Sequence, residues 1–196
     1  MRDLVRTSRV LKRTGFGIMG TFAFFVSAFM VGETLSDPGG WKGVGMVAMW
    51  FVPMLALGAL AWFKPSSGIP ILIALSMGFL SLGIFRALDP AVVRYEDSNG
   101  PITAVVAFAL AVAVAALGHE RARSAGILLM LIGLSPILLV ILMNSQGNGS
   151  PAGTAGFVLI SPVAIPGVLL VLSDLVSRNT RPRKALEGQS NLRAAA

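Results

Sequence analysis

The sequence predicts an all-α, polytopic membrane protein with six transmembrane helices in antiparallel hairpins, N-in/C-in. Three observations predict it. The 196 residues are 55% hydrophobic and only 13% charged, about half the charged share of a soluble domain, which is roughly a quarter. The apolar residues fall into six long runs divided by polar stretches. The basic residues gather in alternate polar stretches, which is the orientation signal of membrane insertion.

The first fourteen residues form a basic leader, expected in the cytoplasm, that holds Arg2, Arg6, Arg9, Lys12 and Arg13. An apolar run follows from Gly15 to Gly32. It is longer than the core of about 7–15 residues found in a secretory signal, and no small-x-small cleavage site closes it. The expectation is a retained first helix over 15–32. Gly15, Gly17, Gly20, Ala23 and Ser27 give that helix small faces for close packing, with five phenylalanines for bulk.

After the turn Ser36-Asp37-Pro38-Gly39-Gly40 comes the strongest unit in the chain, running from Trp41 to Leu88. Two apolar arms, 44–63 and 69–88, are joined by Lys64-Pro65-Ser66-Ser67-Gly68. A helix needs about 20 residues to cross a hydrocarbon core of about 30 Å, and so short a turn between two such arms predicts a transmembrane hairpin. Trp41 and Trp62 bracket the first arm, where interfacial indoles sit. Pro53 lies mid-helix and withholds a backbone donor. Pro70 is expected to open the second arm, where a missing N–H is harmless.

Helix four is expected over 102–118, rich in Ala and Val. Its Ala107, Ala111 and Ala115 stand four apart and form the candidate helix-packing face. The turn 119–124 leads to helix five, 125–143, which contains Pro136, and an uncharged Gly/Ser/Asn loop leads to helix six, 156–175, which contains Pro162 and Pro166. The tail 176–196 is polar and basic and is expected to be disordered in the cytoplasm. An internal repeat is suggested where Gly68-Ile69 and Gly126-Ile127 align at a shift of 58. Chance similarity between apolar sequences is an equally good account.

Six crossings put both termini on one side, and the charges choose the side. With the N-terminus inside, the inner segments hold thirteen of the sixteen Lys and Arg residues, leaving Lys42, Arg86 and Arg94 outside. The net charge of +7 therefore reads as topology and headgroup contact. No aromatic or fold motif of nucleic-acid recognition accompanies it, and nucleic acid is not an expected partner.

The residues of the hairpin also bear a family likeness. Trp41, the run Trp50-Phe51-Val52-Pro53-Met54-Leu55, Ala61-Trp62 and Gly68-Ile69 resemble a group of small uncharacterised prokaryotic membrane proteins, a domain of unknown function. Ser161-Pro162 with Pro166-Gly167 resembles a step in that group's final helix. The likeness covers helices two, three and six, and the chain departs from it in placing Trp50 where the group often has His. It implies the topology and no chemistry.

Chemistry-bearing residues are few. Cysteine is absent and His119 is the single histidine, which removes thiolate chemistry and bis-histidine metal ligation. The centres of the six runs hold no ionisable group, whereas proton and ion relays use such groups. The candidate outer polar cluster is Glu33, Arg86 and Asp89, with Glu33 and Arg86 at similar depth. Glu33 and Arg86 are read as forming an ion pair or lining a shallow outward pocket, against the favoured reading in which each side chain reaches the headgroups alone. His119, Glu120, Arg121 and Arg123 read as a solvated turn, and Asp174 is placed to pair with Arg178 four residues on. The methionines read as packing residues rather than metal ligands.

The expectation is thus an integral protein of a bacterial plasma membrane with no enzyme activity, no catalytic residue, no metal and no cofactor. Its leading role is structural or accessory, with the lipid bilayer and a membrane-protein partner or second copy as partners. A small transporter or channel-like protein comes second, because Pro53, Pro136, Pro162 and Pro166 are candidate bends. An intramembrane enzyme comes third.

Overall fold

A computed structural model describes residues 2–36, 40–88, 102–145 and 161–178, and all of the regular structure among them is helical. We number the helices α1 (Arg2–Thr34), α2 (Gly40–Phe63), α3 (Pro65–Leu88), α4 (Ile102–Leu117), α5 (Ala122–Ser145) and α6 (Ser161–Arg178), the last opening with a 3-10 turn over Ser161–Val163. Five of these, α1, α2, α3, α5 and α6, are long and apolar enough to cross a membrane.

The boundaries differ from those expected, for identifiable reasons. The helix expected to begin at Gly15 begins at Arg2, so the basic leader forms the first turns of α1. Tertiary contacts hold it there. Ser8 Oγ donates to the Ser173 carbonyl at 2.8 Å, and Lys12 Nζ donates to the His119 carbonyl. Between α2 and α3 only Lys64 leaves helical geometry, so the expected five-residue turn shrinks to one. Pro65, rather than Pro70, opens α3, because the first helical position asks for no N–H. Pro70 lies one turn further in, where it cannot donate to the carbonyl of Ser66, an exposed residue beside the turn. Of the tail, 176–178 continue α6, and 179–196 lie outside the described residues, as do positions 156–160 expected for helix six.

The shortest helix is the central one. At 16 residues, α4 is about 24 Å long, short of a hydrocarbon core of about 30 Å. It packs against α1, α2, α3 and α5, and Ala107, Ala111, Ala113, Val114 and Leu117 are wholly buried. Small side chains suit such a position, because they let neighbouring backbones approach. The outer helices are lined differently. Half of the most apolar stretch of α5 is buried, against 11% of that in α1 and α2. Phe24, Phe25 and Phe29 of α1 and Trp41, Met49 and Phe63 of α2 are all exposed.

A close backbone contact lies elsewhere, between α5 and α6. A methyl group added at Gly126 would fall 2.6 Å from the Gly167 carbonyl oxygen, and one at Gly133 would fall 2.5 Å from the Ala164 nitrogen. Gly167 is also tight, with the Gly126 carbonyl at 2.9 Å from its missing methyl. Only hydrogen fits at these three points.

Candidate functional site

The helices α2, α3 and α4 leave a groove of about 550 Å³ between them. Its floor is buried: Met54, Phe79 and Leu110 are 3–5% exposed. Its rim is open, with Met46, Met49 and Leu82 more than half exposed. The space arises from local sequence. Gly78 contributes no side chain, and a methyl group placed there would meet nothing within 4 Å. Ala74 and Ala109 face the same space. Pro53, also in the wall, has no N–H to offer the Met49 carbonyl one turn back.

The chemistry of this wall is nearly uniform. Apart from the indole of Trp50, its side chains are hydrocarbon or thioether. Trp50 meets the buried Phe108 of α4 edge-to-face, centroids 6.4 Å apart, and Phe108 meets Phe22 of α1 in the same manner at 6.1 Å. This aromatic row fixes α4 between α1 and α2 behind the groove. Sites for polar ligands carry a few convergent polar groups that set orientation; the groove offers shape and apolar surface instead.

A second cluster lies at the end of the bundle that carries the leader. His119 stacks on Trp62, with centroids 4.4 Å apart and planes 29° off parallel, and its Nδ1 is 3.4 Å from Glu120. With Lys12 on the His119 carbonyl and Ser8 on α6, this ties α1, α2, the α4–α5 turn and α6 together. The turn expected to be merely solvated is therefore exposed yet engaged. Asp174 pairs with Arg178 at 2.7 Å, the anticipated four-residue spacing.

The other sequence-named residues are placed as follows. Glu33 is exposed at the end of α1; Arg86 is on α3 with its side chain outside the described residues, and Asp89 is outside them altogether. The anticipated Glu33–Arg86 contact thus falls beyond what is described. Ala107, Ala111 and Ala115 are 0%, 0% and 7% exposed, turned into the bundle. Pro136 and Pro166 are fully buried, whereas Pro53 is exposed at the groove and Pro162 sits in the opening 3-10 turn of α6. Ser81, Ser135 and Ser173 donate to carbonyls of their own helices, but the buried Ser76 hydroxyl has no partner among the described residues.

Sequence reasoning missed the groove and the Gly126–Gly133–Gly167 contact. The glycines had a legible signal, since seven residues apart on a helix is two turns along one face. The groove had none, because it is set by which faces of three helices meet. Among the described residues no group of three or more His, Asp or Glu side chains is placed to hold a metal ion. No protein-family model, curated protein or solved structure matches this chain.

Proposed function

We propose that the chain is a multi-pass integral protein of a bacterial plasma membrane, N-in/C-in, with six crossings in antiparallel hairpins. In this reading it is a structural or accessory protein that associates with membrane partners, and it is related to the small prokaryotic membrane proteins that its second, third and last helices resemble. The single observation that carries the role is the character of its cavity. The groove beside Pro53 is walled by apolar side chains, and no ionisable residue lies near the middle of any described span. An ion or polar solute crossing a bilayer needs polar partners along its route.

The hairpin arrangement draws support from the groove, which lies between residues 46–57 of α2 and 74–82 of α3. The short α4 fits a sixth crossing because it is sheathed by its neighbours, which cover its length deficit from lipid. The transporter reading rests on bent helices, yet Pro136 and Pro166 stand in packed interior. We assign no catalytic residue.

Purification in mild detergent, with mass by light scattering and identification of bound protein, tests the accessory role. The expected result is a stoichiometric assembly, either with one membrane protein or with a second copy. A monodisperse monomer with nothing bound, together with solute flux in reconstituted vesicles, would reverse the ranking of the two readings.

A further inference from the structure

We propose that the leader turns of α1 are a docking surface for an acidic, amphipathic helix of a partner protein. The inference rests on the accessory reading above and deepens it by stating the chemistry of the partner.

Height decides what the leader meets. The Lys12 bond to the His119 carbonyl and the Trp62–His119 stack bring the turns at Lys64 and Glu120-Arg121 beside the start of the apolar run of α1. Charged turns and an indole at one height mark the membrane interface. Past that height α1 continues. Arg6 stands nine residues before Gly15, which is about 13 Å along the axis and still about 10 Å at a steep tilt of about 40°. A headgroup layer is only about 5–8 Å deep on each side. Helical side chains also lean toward their N-terminus, which here is away from the lipid. The bilayer reaches Arg13 and stops short of Arg6.

The surface beyond the bilayer has a pattern. Arg6, Arg9 and Arg13 are exposed, and none is paired with an acidic group among the described residues. Their spacing of three and four residues puts them within about 60° of one another around the helix. Val5 and Val10, both exposed, flank this stripe about 40° to either side. The Ser8 bond to the Ser173 carbonyl holds the end of α6 at the same height, where Leu172 and Leu175 are exposed as well.

A helix with carboxylates at the same spacing and apolar neighbours beside them matches both features. Each guanidinium can hold a carboxylate through two parallel N–H···O bonds, and the apolar neighbours cover the valines. A nucleic acid would engage the cations through its phosphates and leave the apolar side chains bare. A second copy would bring its own basic leader against this one and be repelled. The two anchoring bonds hold the leader in place beforehand, so docking has less to order.

The test uses the full chain in phosphatidylcholine nanodiscs and a labelled helical peptide with Glu at the three-and-four spacing flanked by Leu. Its control has the same composition with Glu spread around the helix. By fluorescence anisotropy the striped peptide is expected to bind about tenfold tighter than the control. Arg6→Gln/Arg9→Gln is expected to weaken it about tenfold, whereas Arg121→Gln/Arg123→Gln, an equal loss of charge, changes it less than about twofold. Raising salt from about 0.05 to 0.5 M should weaken binding to the parent chain several-fold. Equal binding of the two peptides, equal loss in the two variants, or indifference to salt overturns the proposal. Tighter binding of a single-stranded RNA of equal charge overturns it in favour of nucleic acid. Phosphatidylglycerol retained through purification by the parent chain and lost from Arg6→Gln/Arg9→Gln overturns it in favour of headgroups. Each of these results strikes the docking surface alone; the accessory reading falls only with the monomer and solute flux described above.

Discussion

Gly133 shows how much one missing methyl group decides. Its added Cβ would stand 2.5 Å from the Ala164 backbone nitrogen, with the Ala164 Cα and Cβ both at 3.0 Å. No rotamer relieves a backbone clash, so α5 and α6 must separate. Overfilling a packed interior costs about 1–3 kcal/mol, and Gly133→Ala is expected to lower the midpoint of thermal or SDS-induced unfolding in detergent accordingly. Gly17→Ala, where nothing lies within 4 Å, is the matched control and should leave the midpoint in place or raise it slightly, because Ala favours helix by about 1 kcal/mol. Equal midpoints for the two variants would show that the α5–α6 approach is not rigid. The alanine seam of α4 was the more conspicuous small-residue signal in the sequence. It does lie in the interior, but the close backbone approach of α5 to α6 uses glycines.

At the scale of the element, α1 is the instructive case. Periodicity and charge marked residues 1–14 as a leader distinct from the apolar helix, because five cations in thirteen residues interrupt any hydrophobic stripe. The helix nevertheless starts at Arg2. Two bonds that no local pattern encodes account for it: Ser8 to the Ser173 carbonyl, 165 residues away, and Lys12 to the His119 carbonyl, 107 residues away. A net hydrogen bond contributes about 0.5–1.5 kcal/mol, more when the donor is charged. Replacing both donors, in Ser8→Ala/Lys12→Ala, is therefore expected to free the leader turns while leaving the spans intact. Limited trypsin digestion should then cut at Arg6, Arg9 or Arg13 several-fold faster than in the parent chain, with unchanged global unfolding. Cleavage at the parental rate would mean that the leader helix persists without its anchors. The same reasoning applies to the α2–α3 junction. Sequence placed a turn there correctly, but Pro65 serves both as a stop for α2 and as the first residue of α3, which leaves Lys64 alone between them.

For the whole molecule, the testable consequence is its orientation. The chain has no cysteine, so single cysteines can be introduced without a background. A cysteine at Ser67 or Glu120 is expected to be shielded from an impermeant maleimide in intact cells and to react after permeabilisation. One at Asp97 or Asn148 should react from outside at once. The reverse pattern would invert the topology, and reactivity of Ser67 and Glu120 from opposite sides would break the even number of crossings. Under the expected pattern the inner-end network of Lys12, His119 and Trp62 lies on the cytoplasmic face, where the thirteen basic residues also fall.

The sequence by itself determined that the chain is helical, and the order of its long apolar runs. Hydropathy acts along the chain, and a run such as 125–143 is apolar whatever it packs against. It also located the polar ends, the lack of ionisable residues near the middle of the spans, and the Asp174–Arg178 pair, all of which depend on neighbours within one or two helical turns. The tertiary structure alone decided which helix is central, where only a hydrogen atom fits between backbones, and that three small or ring-closed residues, Pro53, Gly78 and Ala109, come together at an apolar groove. Those outcomes depend on which faces meet across helices. In a chain whose helices are apolar all round, no polar face marks in advance the side that turns inward.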